Sequence, residues 1–362
     1  MLPYRILIFL YFTLKITLSI ALPDDSSRLK VDRRILILPV IVNAPETKVG
    51  AGLLASVFFR TDAYDSTVRT SNIQTVFLYT QKKQIVINLG GNIYFPKEKH
   101  ILKWQTVYAY FPDKFWGIGN NTPASNLEVY TYTQLYFNPQ FMRRIYKRWF
   151  VGLIGEYQNV LKTDFQPNGI FQTENVPGRN GYVASGLGPL IAWDSRNNAF
   201  SPTKGEYFQI SFMNYNRFLG SQYNFNGCTI DARKYILFSK NVLAVQFFGL
   251  FNNGNVPFRN LATLGGTNQL RGYYTGRYRD KDATVLQAEY RMPVYKRFGI
   301  VVFSGIGEVS DKIGNFSLSG IKYSAGGGIR FAIKPKERLN LRLDFAIGQK
   351  SSGLYLFISE AF

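Results

Sequence analysis

Along much of the chain apolar and polar residues alternate with a period of two. Between Leu339 and Gly348, Leu339, Leu341, Leu343, Phe345 and Ile347 are interleaved with Asn340, Arg342, Asp344, Ala346 and Gly348. Just before it, Ile321, Tyr323, Ala325, Gly327, Ile329, Phe331 and Ile333 are set against Lys322, Ser324, Gly326, Gly328, Arg330 and Lys334. Period two places one set on each face of a strand, so these are strands with a greasy side and a charged side. The charged side needs water, which a lumen supplies and a packed soluble core does not.

The same reading yields about sixteen strands, each near the roughly 10 residues that a tilted membrane-crossing strand requires. They run from Arg34–Asn43, which is weak because Pro39 cannot donate to a ladder, to Leu354–Phe362, and include Glu128–Phe137 and Trp149–Leu161. With both termini on the periplasmic side, the long connections Pro112–Leu127, Lys162–Gly181 and Gly254–Ala283 fall outside the cell. The short ones Ser239–Asn241, Tyr295–Phe298 and Lys334–Arg338 fall inside, the asymmetry expected of a membrane barrel. Asp62–Ser71 and Pro139–Arg148 are longer than tight turns. A β-sandwich or propeller is the soluble rival, and no internal period for propeller blades is present. The expected fold is an all-β transmembrane antiparallel barrel over residues 34–362, with the long Gly254–Ala283 loop folded inward.

Composition is compatible with that reading. Mean hydropathy is only −0.10, because barrel strands are apolar on one side alone. Aromatic residues make up 16%, which fits girdles of rings at the two membrane surfaces. Residues 1–21 look like a secretory signal, with a basic start ending at Arg5, an apolar run from Ile6 to Ile20 and a small-x-small site at Ser19-Ile20-Ala21. Residues 22–33 form a short segment before the first strand, too short for a separate domain. The formal net charge is +20; its basic residues are spread over turns such as Lys147-Arg148 and Lys296-Arg297. This points to lipid headgroups and lipopolysaccharide as partners rather than nucleic acid.

His100 and Cys228 are single residues of their kinds. A histidine-based triad, an intrachain disulfide and the usual zinc sites therefore lack parts, and no enzyme activity, cofactor or metal is expected. Gly326-Gly327-Gly328 is no phosphate cradle, since no Gly-Lys-Ser/Thr follows it.

Four segments, in order, resemble the barrel domain of the BamA/TamA superfamily of outer-membrane assembly and secretion proteins, also called bacterial surface antigen domains. They are Ala192 to Asn197 with Phe200 to Gly205, Leu270-Arg271-Gly272-Tyr273, Ala288 to Pro293, and Gly326 to Phe331 with Leu341 to Ala346. Phe115-Trp116-Gly117-Ile118-Gly119-Asn120 is the best earlier piece. The resemblance implies that Arg271, Gly272 and Tyr273 sit on the sixth extracellular loop, with the arginine locked against a carboxylate on the lumen wall. The family's usual aspartate is missing from the matching strand, Phe303 to Gly307, so parity leaves Glu289 and Asp344 as candidate acceptors.

The hairpin carrying Asp194, Arg196, Pro202 and Gly205 reads as a structural periplasmic turn. The final segment is similar to the C-terminal recognition signal of outer-membrane proteins, with Leu354, Leu356, Ile358 and Phe362 on the lipid side and Glu360 interrupting the stripe near the rim. Relatives that insert barrels or secrete proteins carry periplasmic POTRA modules, which the short leading segment has no room for. The expected function is outer-membrane biogenesis or translocation of protein or lipid, with a separate periplasmic partner protein; a passive pore or surface adhesin is the alternative.

Overall fold

The computed structural model describes residues 34–62, 68–335 and 338–362. The expectations for residues 1–33 lie outside that range. Sixteen antiparallel strands close into a barrel and two more form a ribbon inside a loop. The wall consists of β1 (Arg34–Ala44), β2 (Lys48–Phe59), β3 (Ser71–Thr80), β4 (Ile85–Tyr94), β5 (His100–Phe115), β6 (Glu128–Tyr146), β7 (Trp149–Asp164), β8 (Tyr182–Asp194), β9 (Gly205–Tyr215), β10 (Phe225–Phe238) and β11 (Asn241–Gly254), followed by β14 (Asp282–Tyr295), β15 (Phe298–Ser310), β16 (Lys322–Lys334), β17 (Leu339–Gly348) and β18 (Ser351–Ile358). Between β11 and β14, β12 (Ala262–Leu264) pairs with β13 (Tyr278–Asp280). The alternation did not single out these two short strands.

Alternation sorts the faces. On β17, Leu343, Phe345 and Ile347 point outward, whereas Arg342, Asp344 and Ala346 are buried within. On β14, Leu286 is outside, and Val285, Gln287, Glu289 and Arg291 are inside. The interior is filled near its extracellular end by an aromatic cluster of Phe115, Tyr130, Phe171 and Phe258. Short turns such as 147–148, 239–240 and 296–297 lie at one end, and the long connections 116–127, 165–181 and 255–281 at the other. Loops of that length belong outside the cell, so the short-turn end faces the periplasm.

Several strand boundaries differ from the sequence expectation: β5 runs on to Phe115 and β7 to Asp164, shortening the loops after them, and two further differences change the wall more. β6 does not stop at Phe137 but continues through Pro139 to Tyr146, leaving a turn of Lys147 and Arg148 alone. Pro139 has no N–H to donate, and the β6–β7 ladder skips there, from Phe137↔Tyr157 to Gln140↔Ile154. The Asn138 side chain fills the gap by donating to the Gly155 carbonyl at 2.8 Å.

The last strand also ends early, at Ile358. Ser359 lies in the left-handed region (φ 79°), which breaks the alternation and turns the chain inward. Glu360 and Phe362 are therefore indoors rather than on the lipid side. Glu360 accepts hydrogen bonds from Arg330 Nε at 2.8 Å and Asn340 Nδ2 at 2.7 Å. Phe362 packs with Tyr235, Ala244 and Ala361. The carboxylate finds its cation inside the lumen, and that attraction overrides the strand period.

Closure is uneven. β1 pairs with β2 along its whole length, from Arg34↔Phe58 to Ala44↔Lys48. Toward β18 it makes a single register pair, Asn43↔Leu356, reinforced by Asn43 Nδ2 donating to the Leu354 carbonyl at 2.7 Å. Continued along the same register, Val40 would face Ser359, where β18 has already ended.

The two faces make a direct test. Leu343→Arg, on the lipid side of β17, should cost about 2–4 kcal/mol of folding free energy in bilayers, whereas Gln105→Arg on the lumen side should cost under about 1. Urea titration of vesicle-folded protein measures both, and equal losses would contradict the assignment of faces.

Candidate functional site

The ribbon of β12 and β13 carries a loop that dips into the lumen. At its tip are Leu270, Arg271, Gly272 and Tyr273, all buried. Gly272 has φ 110°, and a Cβ there would come within 2.8 Å of the Ile347 backbone of β17. Only glycine permits both the turn and the close approach to the wall.

This approach delivers Arg271 to two carboxylates. Its Nη1 donates to Asp344 Oδ2 at 2.6 Å and its Nη2 to Glu289 Oε1. Asp344 and Glu289 are 0% exposed and Arg271 is 1% exposed, so the pairing occurs away from solvent. Beneath the guanidinium lies the Phe303 ring, 3.5 Å from its Cζ to the centroid.

Register explains how strands that are not neighbours meet at one arginine. Glu289, Phe303 and Gly326 stand side by side on β14, β15 and β16. The guanidinium carbon sits over the ring with Glu289 to one side; on the other, Gly326 adds no side chain to the wall. Asp344 reaches across from β17, and a Cβ on Gly328 would meet its Oδ1 at 2.0 Å. The glycine run is thus the space into which the second carboxylate and the ring fit. Phe303 on β15 thus offers the guanidinium an aromatic face, and the acids come from either side, from β14 and β17.

A wider network anchors the pair. Arg291 Nε donates to Glu289 Oε2 at 2.9 Å and its Nη2 to the Phe362 carbonyl oxygen at 3.0 Å. Arg330 Nη1 donates to Asp344 Oδ1 at 2.5 Å, and Arg342 Nη2 holds the loop at the Thr267 carbonyl (2.9 Å). The Tyr355 hydroxyl accepts from Gly272 N–H at 2.8 Å and donates to the Tyr273 carbonyl at 3.4 Å. Sequence reasoning singled out Arg271, Glu289 and Asp344 but not Arg330, Arg342, Tyr355 or Glu360 as members. The lumen parity of Arg330 and Arg342 was the available signal; Glu360 had none, because its face depends on the break at Ser359.

The loop is fastened at its extracellular end as well. Tyr273 donates its hydroxyl to the Tyr323 carbonyl and accepts from Gln349 N–H, both at 2.8 Å. Tyr274 donates to Asp113 Oδ1 at 2.8 Å. The Phe115–Asn120 segment is its platform: Trp116 packs edge-on against Tyr274, with 5.3 Å between centroids, and Gly119 N–H donates to the Arg279 carbonyl at 2.7 Å. Glu46, in the β1–β2 turn, accepts from both the N–H and the hydroxyl of Thr275. Burial raises the Glu46 carboxyl above its ordinary value, against the opposing effect of the Thr275 donors.

The periplasmic hairpin forms a separate group. Asp194 is 4% exposed and grips Arg196 (Nε 2.9 Å, Nη2 3.0 Å) together with Arg69. Gly205 has φ 101°, and Pro202 is buried. Between them and Asp194, Phe200 packs onto an interior cluster with Leu36, Val40, Leu54 and Phe58 on β1 and β2. The hairpin thus closes over the periplasmic end of the lumen, beside β1, and does not reach Arg271.

A closed antiparallel barrel spanning the outer membrane, with its own long loop clamped inside, is the class of protein that this fold and site define. The chain belongs to the Omp85 superfamily, whose domain matches residues 63–362. Among solved structures it is similar to BamA from Haemophilus ducreyi lacking POTRA domains 1–3, at 13% identity and TM-score 0.59, over 92% of this chain and 71% of that one. It is also similar to CdiB from Acinetobacter baumannii, at 10% identity and TM-score 0.58, over 91% of this chain and 60% of that one. At such identities the likeness is one of fold. Compared with curated proteins by sequence, the chain matches none.

Removing one member of a buried ion pair strands its partner at a cost of about 3–5 kcal/mol. Glu289→Gln and Asp344→Asn should each lower the temperature at which the folded form converts to the unfolded one in heat-modifiability gels. Arg271→Lys should not restore the parent value, because an ammonium cannot span both acids. A parent-like midpoint in all three variants would refute the clamp.

Glu46 predicts a pH dependence. A raised folded-state value means that protonation favours the docked loop. The contribution is complete below the ordinary glutamate value and fades as pH rises through the raised one. Proteolysis at Thr275 should therefore accelerate with pH over that window in the parent and lose the dependence in Glu46→Gln. An unchanged profile in the variant would contradict it.

Proposed function

We propose that this outer-membrane barrel inserts or translocates protein or lipid, and that it does so at the β1–β18 seam. The observation that carries the reading is the single register pair Asn43↔Leu356, where the neighbouring β17–β18 ladder runs from Leu341↔Ile358 to Gly348↔Ser351. A seam held by so few hydrogen bonds is the cheapest place for the wall to part. The stretch of β1 before Val40 presents backbone donors and acceptors that β18 does not reach. An unpaired strand edge is a template for an added strand. Ile35 and Ile37, 71% and 62% exposed, give that edge a lipid-facing side that matches an incoming amphipathic strand.

Membership of the Omp85 superfamily and likeness to the BamA and CdiB barrels support this reading. The passive-pore alternative needs an open lumen, and here the Arg271 clamp and the Phe258 cluster occupy it. The role is one of moving substrate rather than transforming it, and a periplasmic partner would deliver cargo beside the hairpin next to β1.

Closing the seam covalently tests the proposal. Cysteines at Asn43 and Leu356, in a Cys228→Ser background, stand at a cross-strand pair whose spacing suits a disulfide. In cells depleted of the parent protein, the oxidised variant should fail to restore the outer-membrane protein and lipid profile, and reductant should rescue it. Equal complementation in the oxidised and reduced forms would sink the seam mechanism.

A further inference from the structure

Two hairpins at the periplasmic end are built alike. Ile145-Tyr146-Lys147-Arg148-Trp149 joins β6 to β7, and Val294-Tyr295-Lys296-Arg297-Phe298 joins β14 to β15. In both, the ladder shifts register just before the turn, skipping Ile145 in one and Val294 in the other, and the tyrosine then pairs with the aromatic across it: Tyr146↔Trp149 and Tyr295↔Phe298. Such a bulge puts two successive side chains on the same side. Ile145 and Tyr146 are accordingly 57% and 62% exposed, and Val294 and Tyr295 are 60% and 63% exposed. Both lysines lie in the left-handed region, with φ 47° and 48°, and each ammonium sits over the preceding ring, at 5.0 Å and 4.9 Å.

A branched or long side chain at positive φ costs backbone energy that glycine or asparagine would avoid. Lysine also stands at positive φ in other turns, Lys83 and Lys350 among them, so what sets these two apart is the bulge, the exposed aliphatic and tyrosine pair it creates and the arginine that follows the lysine. Among the described residues no carboxylate pairs with Lys147, Lys296 or Arg297. Arg148 lies 3.5 Å from Glu98, but that acid is already held by Arg69 at 3.0 Å. At the first turn Lys97, Arg144 and the Arg69-held Glu98 join the two basic residues around a cavity of about 230 Å³.

We propose that these two turns are binding sites for the phosphate of an anionic phospholipid in the leaflet on the periplasmic side. The exposed aliphatic and tyrosine side chains sit at the depth where amphipathic rings settle in a membrane interface. The Lys-Arg pair then stands at phosphate level, the lysine as a point charge and the arginine as a fork. The sites fix the barrel's height and tilt at two places on its wall. They rest on the outer-membrane reading but not on what the barrel moves.

Native mass spectrometry of the full protein released from nanodiscs, with phosphatidylglycerol as probe and phosphatidylcholine as reference, tests this. K147Q/R148Q and K296Q/R297Q should each weaken phosphatidylglycerol retention by about fivefold, and the combined variant by about twentyfold. K83Q/K350Q, in turns at the opposite end, should change it by less than about twofold. Tyr146→Ser with Tyr295→Ser should weaken lipid retention without altering any binding of inorganic phosphate. Heat-modifiability confirms that each variant is folded. Parent-like retention in the combined variant, an equal loss in K83Q/K350Q, or displacement of the lipid by inorganic phosphate at equal concentration would each overturn the proposal. None of these readouts depends on cargo, so they leave the seam mechanism to its own test.

Discussion

A buried guanidinium between two buried carboxylates is the interaction on which the rest of this interior depends. Arg271 reaches Asp344 and Glu289 only because the loop tip lies against the wall at Gly272 and because the Gly326–Gly328 stretch leaves space above β16. Each charge would be costly alone away from water, so the members must be satisfied together. Arg291 and Arg330 extend the chain of pairings to Glu360, and this draws the end of the polypeptide inside. Loop position, strand spacing and the course of the last residues are thus consequences of one electrostatic condition.

That condition bears on the seam. Because Glu360 is held by Arg330 and Asn340, β18 stops at Ile358 and offers β1 little to pair with. Pro39 also removes one donor from β1. The lumen network and the weak closure are therefore linked: what stabilises the loop inside is also what leaves an edge free in the wall. Phe200, from the hairpin whose base Asp194 and Arg69 hold, packs at the foot of that edge, which places an ordered element where a strand would arrive.

Much of this was legible in the residues. Alternation on β17 placed Arg342 and Asp344 on one face and Phe345 on the other without reference to any neighbour, since side chains of a strand point to opposite sides in turn. The Leu270–Tyr273 motif, the acids Glu289 and Asp344, and the asymmetry of long and short connections were visible too. Less visible were the departures from regularity. The bulges beside Tyr146 and Tyr295 and the turn at Ser359 each shift the parity of the residues that follow, whereas β6 runs on through Pro139 in unchanged register. A single shift moves every later side chain to the other face, which is why the strand period alone places Phe362 on the lipid side and Glu360 as a break in that stripe near the rim.

The sequence by itself determined the class of architecture, the faces of the regular strands and the loop that carries the arginine, because these follow from local period and local motif. Only the tertiary structure decided that the arginine meets both acids at once, that Phe303 lies as a face beneath it, and that the wall is barely closed between its first and last strands. Those facts depend on the register between strands far apart in the chain and on where buried charges find partners. Both are fixed by three-dimensional proximity, which a one-dimensional pattern does not encode.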